Sequence, residues 1–316
     1  MGSLHILVTG SAGFLGSNIV RLFQARGLQV TGTWHETPPE AREGTRWLRF
    51  DLRKGLSWYD APRERIRAVI HCAAIASVEM CEREKELARA VNVEATRMLA
   101  DWCADRGIDF IFISTDLVFD GTKGWYTEED PVSPASWYAE TKALAEEAAR
   151  LHHPRSWIIR PSLCYGISRG SPGSFLSWTI GRLSRGETVD FYTNQYRTPV
   201  FAEDVAETAR RILERRPPPG IYHAGGPERL TRYDIALLAA RIFLGSTRGI
   251  RPALLERPSI PGGFDDTSLD TAKARRDLEM NFTPLVMGFE SVRSMTAAAP
   301  CGPQNETFHD GESSHG

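Results

Sequence analysis

The chain has 316 residues, of which 41% are hydrophobic, 25% charged and 9% aromatic. This composition is typical of a globular protein and excludes a wholly disordered chain or a fibre. Its 38 basic and 40 acidic residues give a formal net charge of -2, which argues against a general nucleic-acid-binding protein.

Short apolar and β-branched runs alternate with helical patterns along the first half of the chain. Strands are predicted at residues 5–9, 29–34, 68–71, 110–114 and 157–160. Helices are predicted at residues 15–26, 84–106 and 137–150, where apolar residues recur at helical spacing. The alternation predicts an α/β fold, a doubly wound parallel sheet of the Rossmann type that is covered on both faces.

The pattern loosens after Pro161 and indicates a second, smaller unit. Helices are predicted at residues 175–184, 203–215 and 231–243, and a short strand at 220–226. We interpret residues 1–164 as the Rossmann domain and 165–294 as a smaller C-terminal lobe, with 191–215 returning to the Rossmann sheet. Residues 295–316 contain almost no large apolar residues, which predicts a disordered tail.

Cysteine usage and the N-terminal sequence indicate the cellular compartment. The five cysteines form no CxxC pair and are odd in number, which favours reduced thiols over a disulfide scaffold or a zinc site. The N-terminal MGSLHILVTG lacks a basic flank and a long apolar core, so it is not a signal peptide. We expect a cytoplasmic protein that binds neither a metal nor a membrane.

The strongest local motif is a glycine-rich turn between the first predicted strand and the first predicted helix. Gly10 permits a tight turn, Gly13 lets backbone N–H groups approach a pyrophosphate, and Gly16 allows the helix to pack closely on the strand. The helix N-terminus adds partial positive charge. The predicted phosphate-binding residues are Gly10, Ser11, Ala12, Gly13, Phe14, Leu15 and Gly16. The alternative is a plain glycine-rich connection without a ligand.

Tyr138 and Lys142 form a YxxxK pair inside a predicted helix, and this spacing places both side chains on one helical face. The ordinary pKa of a tyrosine is about 10, so a nearby ammonium group is needed to favour the phenolate near neutral pH. Thr115 directly follows a predicted strand, at the sheet edge where open α/β sheets bind ligands. These three residues are the candidate catalytic set. The alternatives are a surface Tyr–Lys pair and a capping Ser–Thr pair.

The GxxGxxG spacing and the YxxxK pair resemble the extended branch of the short-chain dehydrogenase/reductase superfamily. The segments STDLVFDG (114–121), TEEDPVSPASWYAETKALAE (127–146) and DTSLDTAKARRDL (266–278) resemble the dTDP-4-dehydrorhamnose reductase family. The resemblance covers about residues 4–290. It implies that the first domain binds NAD(P) and that the lobe binds a nucleotide sugar.

The resemblance also implies roles for individual residues. Tyr138 would donate a proton, Lys142 would hold the nicotinamide ribose, and Thr115 would orient the substrate carbonyl. Asn92 falls where the family has a structural asparagine. Further cofactor contacts fall on Asp51, Leu52, Cys72, Ala73 and Ala74.

The end of the second strand indicates which nicotinamide cofactor is bound. NAD-specific members carry an acid there, and in this chain the position falls on Trp34, followed by His35. A 2′-phosphate would meet no carboxylate and would gain from His35 and Arg53, so we expect NADPH. NADH is the alternative, if Glu36 contacts the ribose instead.

Residues on the substrate side are predicted by their position in the family. Ser162 and Leu163 border the sugar, although the family often has an aromatic residue where this chain has Leu163, which leaves the sugar open. Arg197 could pair with a diphosphate as a fork-shaped donor, or could be a solvated residue at a domain edge. Further candidates are Ser77, Val78 and Phe175.

Three functions agree with this resemblance. The first is an NADPH-dependent reductase of a nucleotide-activated 4-keto-6-deoxysugar. The second is a non-catalytic NADP-binding regulatory subunit, because the β subunit of methionine adenosyltransferase shares the fold and the STD-type segment. The third is an NAD-dependent nucleotide-sugar epimerase, against which the missing acid after the second strand argues. The oligomeric state stays open, and a homodimer is one expectation.

Overall fold

The computed structural model describes residues 5–36, 38–39, 44–54, 66–167, 173–256 and 265–297. The strands, β1 to β13, are His5–Thr9, Gln29–Trp34, Thr45–Arg49, Ile66–His71, Asp109–Ile113, Trp157–Pro161, Cys164–Tyr165, Val189–Tyr192, Tyr196–Arg197, Val200–Phe201, Gly220–Ala224, Leu230–Thr231 and Ile250–Ala253. The α-helices, α1 to α10, are Phe14–Ala25, Val78–Arg83, Lys85–Arg89, Ala95–Asp105, Trp137–His152, Phe175–Ser184, Ala202–Arg215, Arg232–Leu244, Ala272–Leu278 and Leu285–Ala297.

A seven-stranded sheet forms the centre of the molecule, in the order β11-β6-β5-β4-β1-β2-β3. Every neighbouring pair in it is parallel. The strand order reverses between β1 and β4, so the loops that follow these two strands diverge and leave a crevice at their carboxyl ends. The predicted doubly wound parallel sheet is confirmed.

Helices cover both faces of this sheet and explain why its inner strands are mostly buried and rich in apolar residues. On one face α1 packs against α7, and Ile19 and Val205 share an apolar cluster there. On the other face α4 packs against α5, and Leu99 and Ala145 share a second cluster. Strand β1 is buried along its whole length, as expected for a parallel strand between two helical layers.

The second half of the chain builds a smaller lobe with its own core. Helices α6, α8 and α10 pack around Tyr165, Phe201 and Phe289. Strand pairs β7–β10, β8–β13 and β9–β12 complete the lobe. Within 191–215, helix α7 lies against the central sheet, whereas β8 and β9 pair with strands of the lobe. Strand β11, at 220–224, forms an edge of the sheet.

The helix predicted at 84–106 is confirmed at 85–105, and it contains a π-helical turn at Ala90–Glu94 that the sequence does not predict. Asn92 lies in this turn, and its side chain hydrogen-bonds the backbone of Ile75. Single π-helical turns inside α-helices occur frequently at functional sites. This turn carries the Asn92 amide that contacts the loop after β4.

The end of the chain also differs from the prediction in part. Helix α10 continues to Ala297, and Met295 packs against the lobe core, so residues 295–297 do not belong to a disordered tail. The remainder of the predicted tail, 298–316, lies outside the described residues. In the described part of the chain, no helix is long and apolar enough to cross a membrane.

Candidate active site

The glycine-rich turn at the end of β1 is held closed by contacts that leave no room for side chains. Gly10 has a φ of +65°, and a Cβ there would lie 2.7 Å from the Cα of Ala73. A Cβ on Gly16 would lie 2.3 Å from the carbonyl oxygen of Gly10. Both positions therefore require glycine because of the protein's own packing.

Gly13 differs from these two glycines because its lack of a side chain leaves the N-terminus of α1 open to a ligand rather than being required by the protein's own packing. A Cβ on Gly13 would lie 3.1 Å from the carbonyl oxygen of Gly10, a tight but tolerable contact. Gly13 is the N-cap of α1, where no side chain caps the helix and no acidic residue occupies the first turn. The first N–H groups of α1 are therefore available for an anion such as a pyrophosphate.

Ser11 fixes the turn to the neighbouring strands, and the other predicted residues of the turn lie at the start of α1. Ser11 is buried, and its hydroxyl donates a hydrogen bond of 2.6 Å to the carbonyl oxygen of Val8. Its backbone N–H donates to the carbonyl oxygen of Thr33 on β2 at 2.9 Å. Ala12, Phe14 and Leu15 are half-buried at the start of α1. The turn is thus fixed to both β1 and β2.

A buried histidine that sequence analysis missed supports the same turn from β4. The Thr96 hydroxyl donates to the carbonyl oxygen of Asn92 at 2.7 Å, so it accepts from His71 Nε2, 3.0 Å away. His71 Nδ1 then accepts from the Thr9 hydroxyl at 2.6 Å. Burial lowers the pKa of His71 to about 3, which keeps the ring neutral.

This chain of hydrogen bonds ends at Ala73, one of the predicted cofactor contacts. The hydroxyl of Thr9 accepts from the backbone N–H of Ala73 at 3.3 Å. Cys72, Ala73 and Ala74 are half-buried at the end of β4, beside Gly10. Because the partners of His71 are far from it in sequence, no local motif marks its role.

Three charged or titratable side chains meet after β2, where the cofactor preference is expected to be decided. Asp51 accepts two hydrogen bonds of 2.8 Å from Arg53, and these hold the pKa of Asp51 well below its ordinary value. His35 Nε2 lies 3.4 Å from the Asp51 carboxylate and 3.5 Å from the guanidinium of Arg53. Glu36 is 85% exposed and 3.6 Å from the other ring nitrogen of His35. Leu52 opens the short 3₁₀ turn that carries Arg53.

The candidate catalytic residues come together at the carboxyl ends of β4 and β5. Thr115 follows β5 and is 7% exposed. Burial raises the pKa of the Tyr138 phenol, and a hydrogen bond with the Thr115 hydroxyl lowers it by a smaller amount. The pKa of Tyr138 therefore lies above its ordinary value, and the phenol is protonated at neutral pH.

Lys142 lies one helical turn after Tyr138 and is buried. Its Nζ donates a hydrogen bond of 2.7 Å to the carbonyl oxygen of Ile113 and lies 4.1 Å from the centre of the Phe112 ring. Burial lowers the pKa of Lys142 to about 8. The ammonium form therefore predominates at neutral pH and is lost in mildly alkaline solution.

Local capping fixes where helix α5 begins, and with it the position of Tyr138. The Ser136 hydroxyl accepts from the backbone N–H of Ala139 at 3.2 Å. The Glu82 carboxylate accepts from the backbone N–H of Trp137 at 2.6 Å. The Asn92 amide, in the π-helical turn, donates to the Thr141 hydroxyl at 3.0 Å. Helix α5 is thus tied to α2 and to the loop after β4.

On the lobe side, Asp116 lies at the centre of a buried polar cluster. Its carboxylate accepts from Thr267 at 2.7 Å and from Ser162 at 3.3 Å. Arg197 is 2% exposed, and its Nε lies 3.6 Å from the same carboxylate. The alternative of a solvated Arg197 is therefore wrong, because the guanidinium packs beside a buried acid.

A second arginine, missed by sequence analysis, joins this cluster. Arg232 is the first residue of α8, and its guanidinium lies 4.7 Å from the centre of the Phe175 ring. Burial, together with the charge of Arg197, lowers the pKa of Arg232 to about 9. In the described part of the chain, its buried Nε has no hydrogen-bond partner. Two buried guanidinium groups thus lie in one cluster with Asp116, next to Thr115, and Asp265 and Asp266 also act on Arg197.

The remaining predicted substrate residues have local roles in the structure. Ser77 is exposed and caps α2 by accepting from the backbone N–H of Met80 at 3.1 Å. Val78 is the first residue of that helix. Leu163 packs against the lobe core, and its carbonyl oxygen accepts from the backbone N–H of Val200.

Comparisons with known proteins identify the family to which the chain belongs. The family model described as the RmlD substrate binding domain matches residues 4–280. The "Probable low-salt glycan biosynthesis reductase Agl14" of Haloferax volcanii is 33% identical over 272 residues, which is 81% of this chain and 87% of that protein. The methionine adenosyltransferase 2 subunit beta of Rattus norvegicus is 28% identical over 257 residues, which is 79% of this chain and 75% of that protein.

Solved structures show the same relationship. A hypothetical dTDP-4-dehydrorhamnose reductase from Sulfolobus tokodaii superposes with a TM-score of 0.75 at 30% identity, covering 89% of this chain and 98% of that one. Other solved proteins of this fold hold NADP or NAD. The chain therefore belongs to the RmlD family, within the oxidoreductases of the extended short-chain dehydrogenase/reductase superfamily.

Proposed function

We propose that this protein is an NADPH-dependent reductase of a nucleotide-activated 4-keto-6-deoxysugar. The observation that carries the proposal is the meeting of Thr115, Tyr138 and Lys142 at the carboxyl edge of the sheet. The glycine-rich turn after β1 lies two strands away at the same edge of the sheet and would hold the dinucleotide. The family and its relatives are of the sugar-nucleotide oxidoreductase type, which supports this reaction class.

The residues present fit a nicotinamide dinucleotide. The uncapped N-terminus of α1 suits its pyrophosphate, Asp51 matches the aspartate that touches the adenine in the family, and the half-buried segment 72–74 matches the small-residue stretch under the cofactor. When bound, the cofactor supplies the hydride. Lys142 would hold the ribose next to the nicotinamide, and its charge would favour the phenolate that Tyr138 leaves behind.

The chemistry of Tyr138 suits a proton donor. Its raised pKa keeps the phenol protonated at neutral pH, so that it can give a proton to the oxyanion formed from the ketone. Thr115 lies beside it and can donate a hydrogen bond to the same oxygen. The two hydroxyls together would orient the carbonyl and stabilise its developing charge.

The choice of NADPH rests on the groups after β2. His35 and Arg53 lie beside the carboxylate of Asp51, with the exposed Glu36 next to His35, and the planar guanidinium of Arg53 suits a phosphate. A 2′-phosphate would compete with Asp51 for these groups, whereas a plain 2′-OH gains little from them. We infer that NADPH binds more tightly than NADH.

The buried cluster on the lobe side supports an anionic substrate. Arg197 and Arg232 bring two guanidinium groups into one buried site beside Asp116, and the charges of Asp265 and Asp266 also act on Arg197. In the described part of the chain, the buried Nε of Arg232 has no hydrogen-bond partner. A nucleoside diphosphate would supply acceptors there, since guanidinium groups bind phosphate oxygens with two parallel hydrogen bonds.

The test is a turnover assay with purified protein, NADPH and dTDP-4-dehydrorhamnose, followed by NADPH absorbance. We expect steady consumption with one equivalent of alcohol formed per NADPH. The matching UDP- and GDP-linked ketosugars, assayed in parallel, identify the nucleotide base. Absence of turnover with all three substrates, in protein that binds NADPH, would contradict the proposal.

A regulatory subunit is the second candidate, because the similarity to the methionine adenosyltransferase β subunit covers most of both chains. Such a protein would bind NADPH without consuming it. It would also alter the activity of a methionine adenosyltransferase when mixed with one. The same turnover assay, run beside that mixing experiment, separates the two functions.

A further inference from the structure

A buried carboxylate lies one helical turn beyond Lys142. Glu146 is 4% exposed and on the same face of α5, because four residues separate the two positions. Arg160 on β6 binds it with two parallel hydrogen bonds of 2.8 and 2.6 Å. The Ser114 hydroxyl, next to Thr115, donates a third of 2.5 Å. Donors from β6 and from the loop after β5 thus satisfy this buried carboxylate.

We propose that Glu146 is a positioning residue whose buried negative charge keeps Lys142 in its ammonium form. The proposal rests on the assigned role of Lys142 in holding the ribose and favouring the Tyr138 phenolate. It extends that role to a residue that does not touch the reacting atoms. Arg160 and Ser114 then serve to hold the carboxylate in place.

The groups around Lys142 explain why a counter-charge is required. On β4, His71 is neutral, and in the adjoining loop Cys72 is a neutral thiol. On α2, Cys81 is also a neutral thiol. The ring of Phe112 and the carbonyl oxygen of Ile113 cover the ammonium group from β5. None of these neighbours carries a negative charge at neutral pH.

Glu146 supplies that charge. Burial lowers the pKa of Lys142, and the Glu146 carboxylate is the strongest influence that raises it again. Without Glu146, burial would favour the neutral amine. The carboxylate therefore keeps Lys142 charged in the pH range where cells work.

A purely structural reading treats the Glu146–Arg160 ion pair as a tie between α5 and β6. Removing either partner would then disturb the site in the same way, because each variant leaves the other charge buried and unpaired. The electrostatic role predicts different responses. Glu146→Gln removes the negative charge that stabilises Lys142, whereas Arg160→Gln removes a positive charge.

The chain has five lysines, so the titration of Lys142 can be followed by NMR of ¹³C-lysine-labelled protein. The Lys142→Arg variant assigns the signal. In the free protein, Glu146→Gln should move the titration midpoint of Lys142 to lower pH by about one pH unit. Arg160→Gln should leave it unchanged or raise it. Glu147→Gln, at an exposed position on the same helix, should have no effect.

Two features keep the test decisive. If Glu146→Gln alone does not fold, the double variant Glu146→Gln/Arg160→Gln leaves no unpaired charge, and its Lys142 midpoint should still fall. Equal falls in Glu146→Gln and Arg160→Gln, or no fall with Glu146→Gln, would overturn the proposal. The measurement needs neither substrate nor turnover, so a failed reductase assay would not affect it. In an active enzyme, the alkaline loss of NADPH affinity should shift by the same amount.

Discussion

The ammonium group of Lys142 donates a hydrogen bond of 2.7 Å to the carbonyl oxygen of Ile113, two residues before Thr115. This bond links helix α5 to the end of strand β5. The two elements that carry the candidate catalytic side chains are thereby fixed to one another. The spacing of Tyr138 and Thr115 thus depends on Lys142 as well as on their own contact.

Tyr138→Phe tests the proton donor, because it removes one oxygen and leaves the ring in place. We expect turnover to fall by ~10²–10⁴-fold, the usual contribution of a general acid. The affinity for NADPH should hardly change, as measured by fluorescence titration. Full activity in this variant would rule out Tyr138 as the acid.

The pKa of Lys142 predicts how cofactor binding depends on pH. As the pH rises through about 8, Lys142 loses its proton and its charge-assisted hydrogen bond to the ribose weakens. NADPH affinity should therefore be constant below that pH and decrease above it. NADPH titrations from pH 6 to 10 check this expectation. The Lys142→Met variant should bind NADPH more weakly and should show no decrease in affinity near pH 8. A decrease that persists in Lys142→Met would assign it to another group.

Two glycines of the turn should respond differently to a methyl group. Gly16→Ala places a Cβ against backbone atoms at 2.3 Å, so we expect a loss of about 1–3 kcal/mol in the free energy of unfolding. Gly13→Ala meets only a 3.1 Å contact, so the fold should survive while NADPH affinity drops. Denaturant unfolding and NADPH titration of both variants separate the effects. Unchanged affinity in Gly13→Ala would contradict the pyrophosphate assignment.

Arg53→Ala tests the choice between NADPH and NADH. Loss of a charged hydrogen bond to the 2′-phosphate should weaken NADPH binding by about tenfold. NADH affinity should stay the same or rise slightly, because Asp51 is then free for a ribose hydroxyl. The ratio of the two dissociation constants is the measurement. Arg49→Ala, whose guanidinium lies over Trp34, is a nearby control.

Arg232→Met tests the anion site on the lobe side. Met keeps much of the apolar stem that packs on Phe175 but removes the charge. We expect a higher KM for the nucleotide sugar, with little change in NADPH affinity. The variant should also unfold at a higher denaturant concentration in the absence of substrate, since a costly buried charge is gone. An unchanged KM would place the diphosphate elsewhere.

The sequence predicts most elements of the sheet and helices because their local patterns agree with their burial. Helix α6 has the predicted bounds, and Thr231 forms the predicted cap of α8 with a reciprocal bond to Asp234. The sequence does not predict the π-helical turn at 90–94. The bonds of Asn92 in this turn reach Ile75, in another element, and no local pattern contains them.

The same reason explains which site residues were missed. The YxxxK spacing is local and readable, whereas His71 acts through Thr9 and Thr96, which are 62 and 25 residues away. The sequence predicts only that Arg232 lies at the start of a helix. Its burial beside Arg197 follows from how the lobe closes on Asp116, which no local pattern contains.

The neutral ring of His71 has a consequence for regulation by acidity. Its proton is fixed on Nε2 by Thr96, and with a pKa of about 3 it gains no second proton in mildly acidic solution. The charge of the His71–Thr9–Ala73 segment therefore does not change over the pH range in which an ordinary histidine would titrate. Mild acidification would therefore leave this part of the cofactor site unaltered, whereas alkaline conditions would weaken cofactor binding through Lys142.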